Sequence, residues 1–136
     1  MPGKAGIRAY ARGDRLYVQA QRIWLILTGF VSSPLREKGD RKTITYGELA
    51  ERMGYDPRAG HTLGRQLGIV GKCCLENDLP ALNAIVVTAL EGAPGDEVVL
   101  KPGRKIKQEQ RAVHEQDWYE VGVPSTGMLR RVWEGM

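Results

Sequence analysis

The stretch from Thr45 to Pro57 constrains the fold more than any other part of the chain, because it holds two helix starts and one helix stop within thirteen residues. Thr45 and Glu48 stand in the Ser/Thr-x-x-Glu arrangement, in which each side chain accepts a hydrogen bond from the other residue's free backbone amide. Gly54 is placed to end the helix so begun, since glycine enters the left-handed conformation of a C-terminal cap at little steric cost. Asp56 followed by Pro57 reads as an N-cap with proline at the first helical position, where a missing N–H is no loss. A short helix, a tight turn and a longer helix form the helix-turn-helix arrangement. The longer helix is expected to run from residue 57 to residue 77.

The flanking segments extend this pattern. Asp14 opens a first helix to about residue 31, in which Leu16, Ala20, Ile23, Trp24, Leu27 and Val31 recur at helical spacing. Leu25 and Ile26 fall on the other side, so the second half is apolar nearly all round. Such a helix belongs in the core or beneath a partner, and the core is favoured. Beyond the helix-turn-helix, the run from Ala84 to Leu90 is β-branched and continuous, and residues 91–96 have turn chemistry. Val98, Val99 and Leu100 then predict a short partner strand, making a hairpin. Residues 105–120 are expected to form a last helix anchored by Ile106, Val113 and Trp118.

The expected fold is therefore α+β and mainly α: a winged helix-turn-helix of three helices followed by a β-hairpin wing, plus a C-terminal helix. Residues 1–13, with Lys4, Arg8 and Arg12, read as a flexible basic arm, and residues 14–104 as the winged-helix domain. Residues 105–136 make a C-terminal helix and tail that pack on the domain or on a partner.

Composition removes several functional classes. Hydrophobic residues are 42% of the 136 and charged residues 26%, as in ordinary globular proteins. The longest apolar run, Ile23 to Leu27, is far short of the roughly 20 residues a membrane span needs. No apolar segment follows the first charges, so no secretory signal is expected and the protein is expected in the cytoplasm. Cys73 and Cys74 are adjacent and cannot staple a fold. With only His61 and His114 beside them, no metal-ligand set can be assembled, and no cofactor is expected. Ser32, Ser33, His114, Asp117 and Glu120 have no spacing that implies a catalytic triad. The glycines from Gly60 to Gly71 lack the Gly-Lys-Ser/Thr ending of a phosphate-binding loop.

Charge favours a polyanionic partner mildly. Twenty Lys and Arg stand against sixteen Asp and Glu, for a net charge of +4. On a helical projection of residues 57–77, Leu63, Leu67, Val70 and Cys74 share one face, while His61, Arg65, Gly68 and Lys72 lie opposite. A basic outer face over an apolar inner one suits a helix laid on nucleic acid, and an ordinary solvated face is the alternative. Gly60, Gly64 and Gly71 line the flank between them, each costing about 1 kcal/mol relative to alanine in a helix. That cost predicts a close approach there by a neighbouring helix or a phosphate. Lys101, Arg104, Lys105 and Lys107 form a second basic cluster, which touches phosphates or stays solvated. Cys74 reads as a small buried hydrophobe, and Cys73 would be reactive only if the Lys72 ammonium approached it.

The middle of the chain also resembles a known family. Thr45-Tyr46-Gly47-Glu48-Leu49-Ala50, then Ala59-Gly60-His61-Thr62-Leu63-Gly64-Arg65-Gln66-Leu67, then Asn77-Asp78-Leu79-Pro80, is similar to the alkylguanine DNA alkyltransferases and their non-repairing alkyltransferase-like relatives. The likeness covers roughly residues 16–88 and is strongest over 45–67. It implies a winged helix that enters the minor groove and rotates a damaged base out of the stack. It places Tyr46 at the phosphate-contacting tyrosine, His61 at the intercalating arginine, and Asn77 at the asparagine before the acceptor loop. Where that family has its Pro-Cys-His-Arg acceptor, this chain reads Leu82-Asn83-Ala84-Ile85-Val86-Val87. Alkyl transfer needs an activated thiolate, so the resemblance implies a binding relative and not an enzyme.

The expected function is thus a non-catalytic protein that contacts duplex DNA, with or without a lesion, through the 57–77 helix. Tyr46, Arg58, His61, Arg65, Lys72 and Asn77 are the expected DNA-binding residues. The alternative is a protein-interaction module (adaptor, immunity or accessory) on the same scaffold without DNA binding. Its partner, or a second copy, would dock on the first helix or on the tail bearing Met128 and Trp133.

Overall fold

The computed structural model describes residues 14–33 and 42–136, so the basic arm expected over 1–13 lies outside the described residues. Helix α1 (Arg15–Ser32) buries Ala20, Ile23, Trp24, Leu27 and Val31, as the periodicity predicts, with Tyr17 joining the stripe. Leu16 packs against the core from its edge, and Leu25 is 49% exposed.

Strand β1 (Ile44–Thr45) leads straight into α2 (Tyr46–Arg52), and Thr45 is the cap between them. Glu48 N–H donates to Thr45 Oγ1 at 3.1 Å, and Thr45 N–H donates to Glu48 Oε1 at 3.0 Å. Gly54 takes φ +88° just past the end of α2. Gly54 and Tyr55 N–H close on the Glu51 and Ala50 carbonyls, both at 2.9 Å, which satisfies the last turn.

Asp56 caps as expected, accepting Arg58 N–H at 2.9 Å, but the helix it opens is not continuous. Residues Pro57–Thr62 wind as a 3-10 helix, Leu63 breaks the run, and α3 (Gly64–Glu76) follows. The reason is packing at Gly60. A Cβ there would stand 2.6 Å from the carbonyl carbon and oxygen of Tyr46, so the tighter turn lets this glycine lie directly on the start of α2. Leu63 meanwhile reaches the core at 1% exposure.

After α3 the chain makes a second 3-10 turn (Leu82–Ile85) and strand β2 (Val86–Val87). Strands β1 and β2 pair in parallel, Ile44 opposite Val86 and Thr45 opposite Val87. Among the described residues this is the only sheet, so the hairpin expected over 84–100 is not formed. Past Val87 the chain folds on itself, with Gly92 N–H donating to the Thr88 carbonyl at 2.9 Å. Pro94 has no N–H with which to extend a ladder. Gly95 N–H goes to the Tyr46 hydroxyl at 2.8 Å, which carries residues 95–100 away from β2.

Helix α4 (Ile106–Glu115) is shorter than the expected 105–120. Trp118, beyond its end, meets Trp24 edge-on with ring centroids 5.6 Å apart and donates from Nε1 to the Val113 carbonyl at 2.8 Å. The tail forms a further helix, α5 (Thr126–Glu134), capped by Ser125 and burying Leu129 and Val132 against α1 and α3. The architecture is α+β and mainly helical. Helices α1 and α3 pack together at its centre, α5 lies across both, and α4 packs on the 82–85 turn. Among the described residues no helix is long and apolar enough to cross a membrane.

Candidate nucleic-acid interface

The close contact at Gly60 has a consequence for Arg58, His61 and Arg65, because it holds residues 57–65 against the first turn of α2. Arg58, His61, Thr62 and Arg65 are exposed along this short segment. Arg58 forks onto its own cap, with Nε 3.0 Å from Asp56 Oδ1 and Nη2 3.2 Å from Oδ2. That guanidinium holds the Asp56 carboxyl below its ordinary pKa. The His61 ring lies against the Arg58 carbonyl through Nδ1. Arg65, in the first turn of α3, makes no ion pair with a described residue.

Tyr46 is not an open phosphate contact. Its ring packs against the core, and its hydroxyl donates to the Glu97 carboxylate while accepting from Gly95 N–H. Burial first, and the Glu97 bond second, push the phenol's pKa upward, so Tyr46 is held protonated. Glu97 in turn covers the glycine edge of α3, standing 3.8 Å from where a Cβ would sit on either Gly64 or Gly68. Neither Glu97 nor Gly95 was singled out by spacing or charge. Their role follows from the hydrogen bonds of Gly95 and Glu97 to the Tyr46 hydroxyl, a long-range pairing that no local pattern announces.

The basic stripe expected along one helix face is interrupted. Gly68 is buried, between Glu97 and the Met136 side chain, and Lys72 is half-buried. His61 belongs to the 3-10 turn and not to α3. Lys72 lies seven residues beyond Arg65, about 10 Å along the axis. Asn77 is farther still, capping the end of α3 with Nδ2 2.8 Å from the Cys73 carbonyl. The structure therefore brings together Arg58, His61 and Arg65 near Tyr46, and leaves Lys72 and Asn77 apart from them.

Close approach explains two of the flanking glycines, and both meet protein. Gly60 touches Tyr46, and a Cβ on Gly71 would stand 2.4 Å from the Asn83 amide nitrogen. Asn83 is wholly buried, donating to the Leu67 carbonyl at 3.1 Å with its own Oδ1 unpartnered. It sits in the segment where the resemblance would place an acceptor cysteine, and its amide is no nucleophile. Cys73 and Cys74 are buried on α3, and burial pushes both thiols up, Cys74 to about 12. Neither is activated as a thiolate at neutral pH. Among the described residues no group of three His, Cys, Asp or Glu side chains is placed to hold a metal ion.

Comparisons with known proteins add no relative: no family model matches the chain, and neither a curated protein nor a solved structure does.

Proposed function

We propose that the chain is a small, non-catalytic DNA-binding protein that meets duplex DNA through residues 57–65 on a helix-turn-helix scaffold. The observation that carries this reading is the exposed row Arg58, His61, Thr62 and Arg65, held rigidly by the Gly60 contact with Tyr46. Cations and hydrogen-bond donors on a rigid helix start suit phosphate and groove contacts. The resemblance of residues 45–67 to the alkyltransferase-like proteins supports the same use of this segment. In this reading residues 88–104, crossing α3 at Glu97, take the place of a wing. Tyr46 acts from behind by fixing that crossing, and Asn83 in the acceptor segment leaves binding without alkyl transfer.

The test is fluorescence anisotropy with a short duplex, with and without one alkylated guanine, at 50 and 200 mM salt. Arg65→Ala is expected to weaken binding to every sequence and to lower the salt slope by about one. Tighter binding to the alkylated duplex would make the protein a lesion sensor. An Arg65→Ala variant that binds as well as the parent at low salt overturns the placement.

One observation favours the protein-interaction reading. Leu25, Tyr119 and Val123 are 49%, 82% and 50% exposed, around a cleft floored by Trp24 and Trp118. A self-associating chain in light scattering that is silent toward DNA would favour it.

A further inference from the structure

The most cationic stretch of the chain lies outside residues 57–65. Residues 101–115 hold five Lys or Arg and two carboxylates, so they account for three of the chain's four net positive charges. The carboxylates are unequally placed. Glu109 is 3% exposed, accepting Ala81 N–H at 2.6 Å on one oxygen and the Arg104 guanidinium at 2.7 Å on the other. Lys101 is tied to Asp78 at 2.8 Å. Lys107 and Arg111, four residues apart on the exposed side of α4, make no ion pair with a described residue.

Lys42 joins them because His114 Nε2 donates to the Lys42 carbonyl at 2.8 Å, fixing that backbone beside α4. Two open clefts result, and both are lined by Arg111 and Glu115. One lies toward Lys42 and Lys107, the other toward Lys101 and Arg104.

We propose that this face of α4 is a second anchoring surface for the phosphodiester backbone of duplex DNA, an extension that rests on the DNA-binding reading above. Like charges four residues apart on a helix disfavour it by a few tenths of a kcal/mol, and a bound polyanion relieves that repulsion. Lys107 and Arg111 are about 6 Å apart along the axis, within reach of neighbouring phosphates on one strand, which advance about 3.4 Å each. Among the described residues the exposed large hydrophobic side chains lie elsewhere, at Leu25, Leu90, Val99, Tyr119, Val123 and Met136. A protein partner would therefore find no large exposed apolar anchor on this face, whereas the exposed cations Lys107 and Arg111 match phosphate oxygens.

The test compares the parent, Lys107→Gln/Arg111→Gln and His61→Ala/Arg65→Ala in anisotropy titrations against a 20-base-pair duplex at several salt concentrations. The α4 double variant is expected to lose about tenfold in affinity near 50 mM salt and about two units of the salt slope, with a melting temperature no lower than the parent's. Affinity and slope equal to the parent's overturn the α4 proposal and leave the DNA reading intact. If the α4 variant weakens while the His61/Arg65 variant matches the parent, the α4 surface stands and the 57–65 placement falls. A parent that does not bind at 50 mM overturns both.

Discussion

The Tyr46 hydroxyl donates its proton to the Glu97 carboxylate across 51 residues of sequence, and this bond ties the segment after β2 onto the first turn of α2. Gly95 N–H reaches the same hydroxyl at 2.8 Å, so one phenol closes the crossing over α3 from two sides.

Removing that hydroxyl tests the crossing. Tyr46→Phe is expected to cost about 1.5–3 kcal/mol at neutral pH, the worth of a hydrogen bond to a charged acceptor. The folded-state pKa of Tyr46 is raised above its ordinary 10.0, mainly by burial and then by Glu97. The stabilisation is therefore complete below about pH 10 and is lost as pH rises from there through the folded-state value. Urea unfolding of parent and variant should differ most near neutrality and converge above pH 10. A constant difference across that range would show that Tyr46 does not titrate as its surroundings require.

The two buried glycine contacts should respond differently to the same added methyl. Gly60→Ala drives Cβ into the Tyr46 backbone at 2.6 Å, where nothing can rotate away, and is expected to be the more damaging. Gly71→Ala meets the Asn83 side chain first, which supplies the three nearest atoms, and should cost about 1–3 kcal/mol by overpacking. In an Asn83→Ala background that collision is gone, and alanine's better helix propensity, worth about 1 kcal/mol, should make Gly71→Ala neutral or stabilising. Thermal melts of the four-member cycle would read the coupling, and strict additivity would contradict the contact.

Glu109 carries α4 onto the 82–85 turn through Ala81 N–H. Glu109→Ala leaves that buried donor unsatisfied and is expected to destabilise by about 1–3 kcal/mol. Glu109→Gln keeps an acceptor and should recover part of the loss. Equal destabilisation in the two variants would place the effect in the Arg104 ion pair and not in the amide.

Both cysteines should be inert in the native protein. Their thiols are buried and their pKa values raised, so a thiol-reactive disulfide reagent should modify neither before global unfolding and both after it. Rapid labelling of either in the folded state would contradict their placement on the inner face of α3.

What could be read from the sequence divides along physical lines. The stripe of α1 and the caps at Thr45 and Asp56 were legible because each is a local signal, periodic or confined to four residues. The break at Leu63 was not, since Gly60, Gly64, Gly68 and Gly71 keep helical spacing straight through it. Only the approach of Tyr46 to Gly60 favours the tighter winding. The 84–90 run has strand composition, but its true partner is the two-residue β1, too short to show a period. Helix α5 offered two buried anchors, Leu129 and Val132, in nine residues, less than a helical pattern needs to stand out. At the candidate site, Arg58, His61 and Arg65 were legible as exposed polar positions. Gly68, outward on a helical projection, is covered by residues distant in sequence.

The most direct test of DNA contact at residues 57–65 is amide chemical-shift mapping of the isotopically labelled chain as a short duplex is added at low salt. The account predicts the largest shifts at Arg58, His61, Thr62 and Arg65, with Leu25, Tyr119 and Val123 unmoved. Shifts confined to that α1 cleft, or none at all, would contradict it.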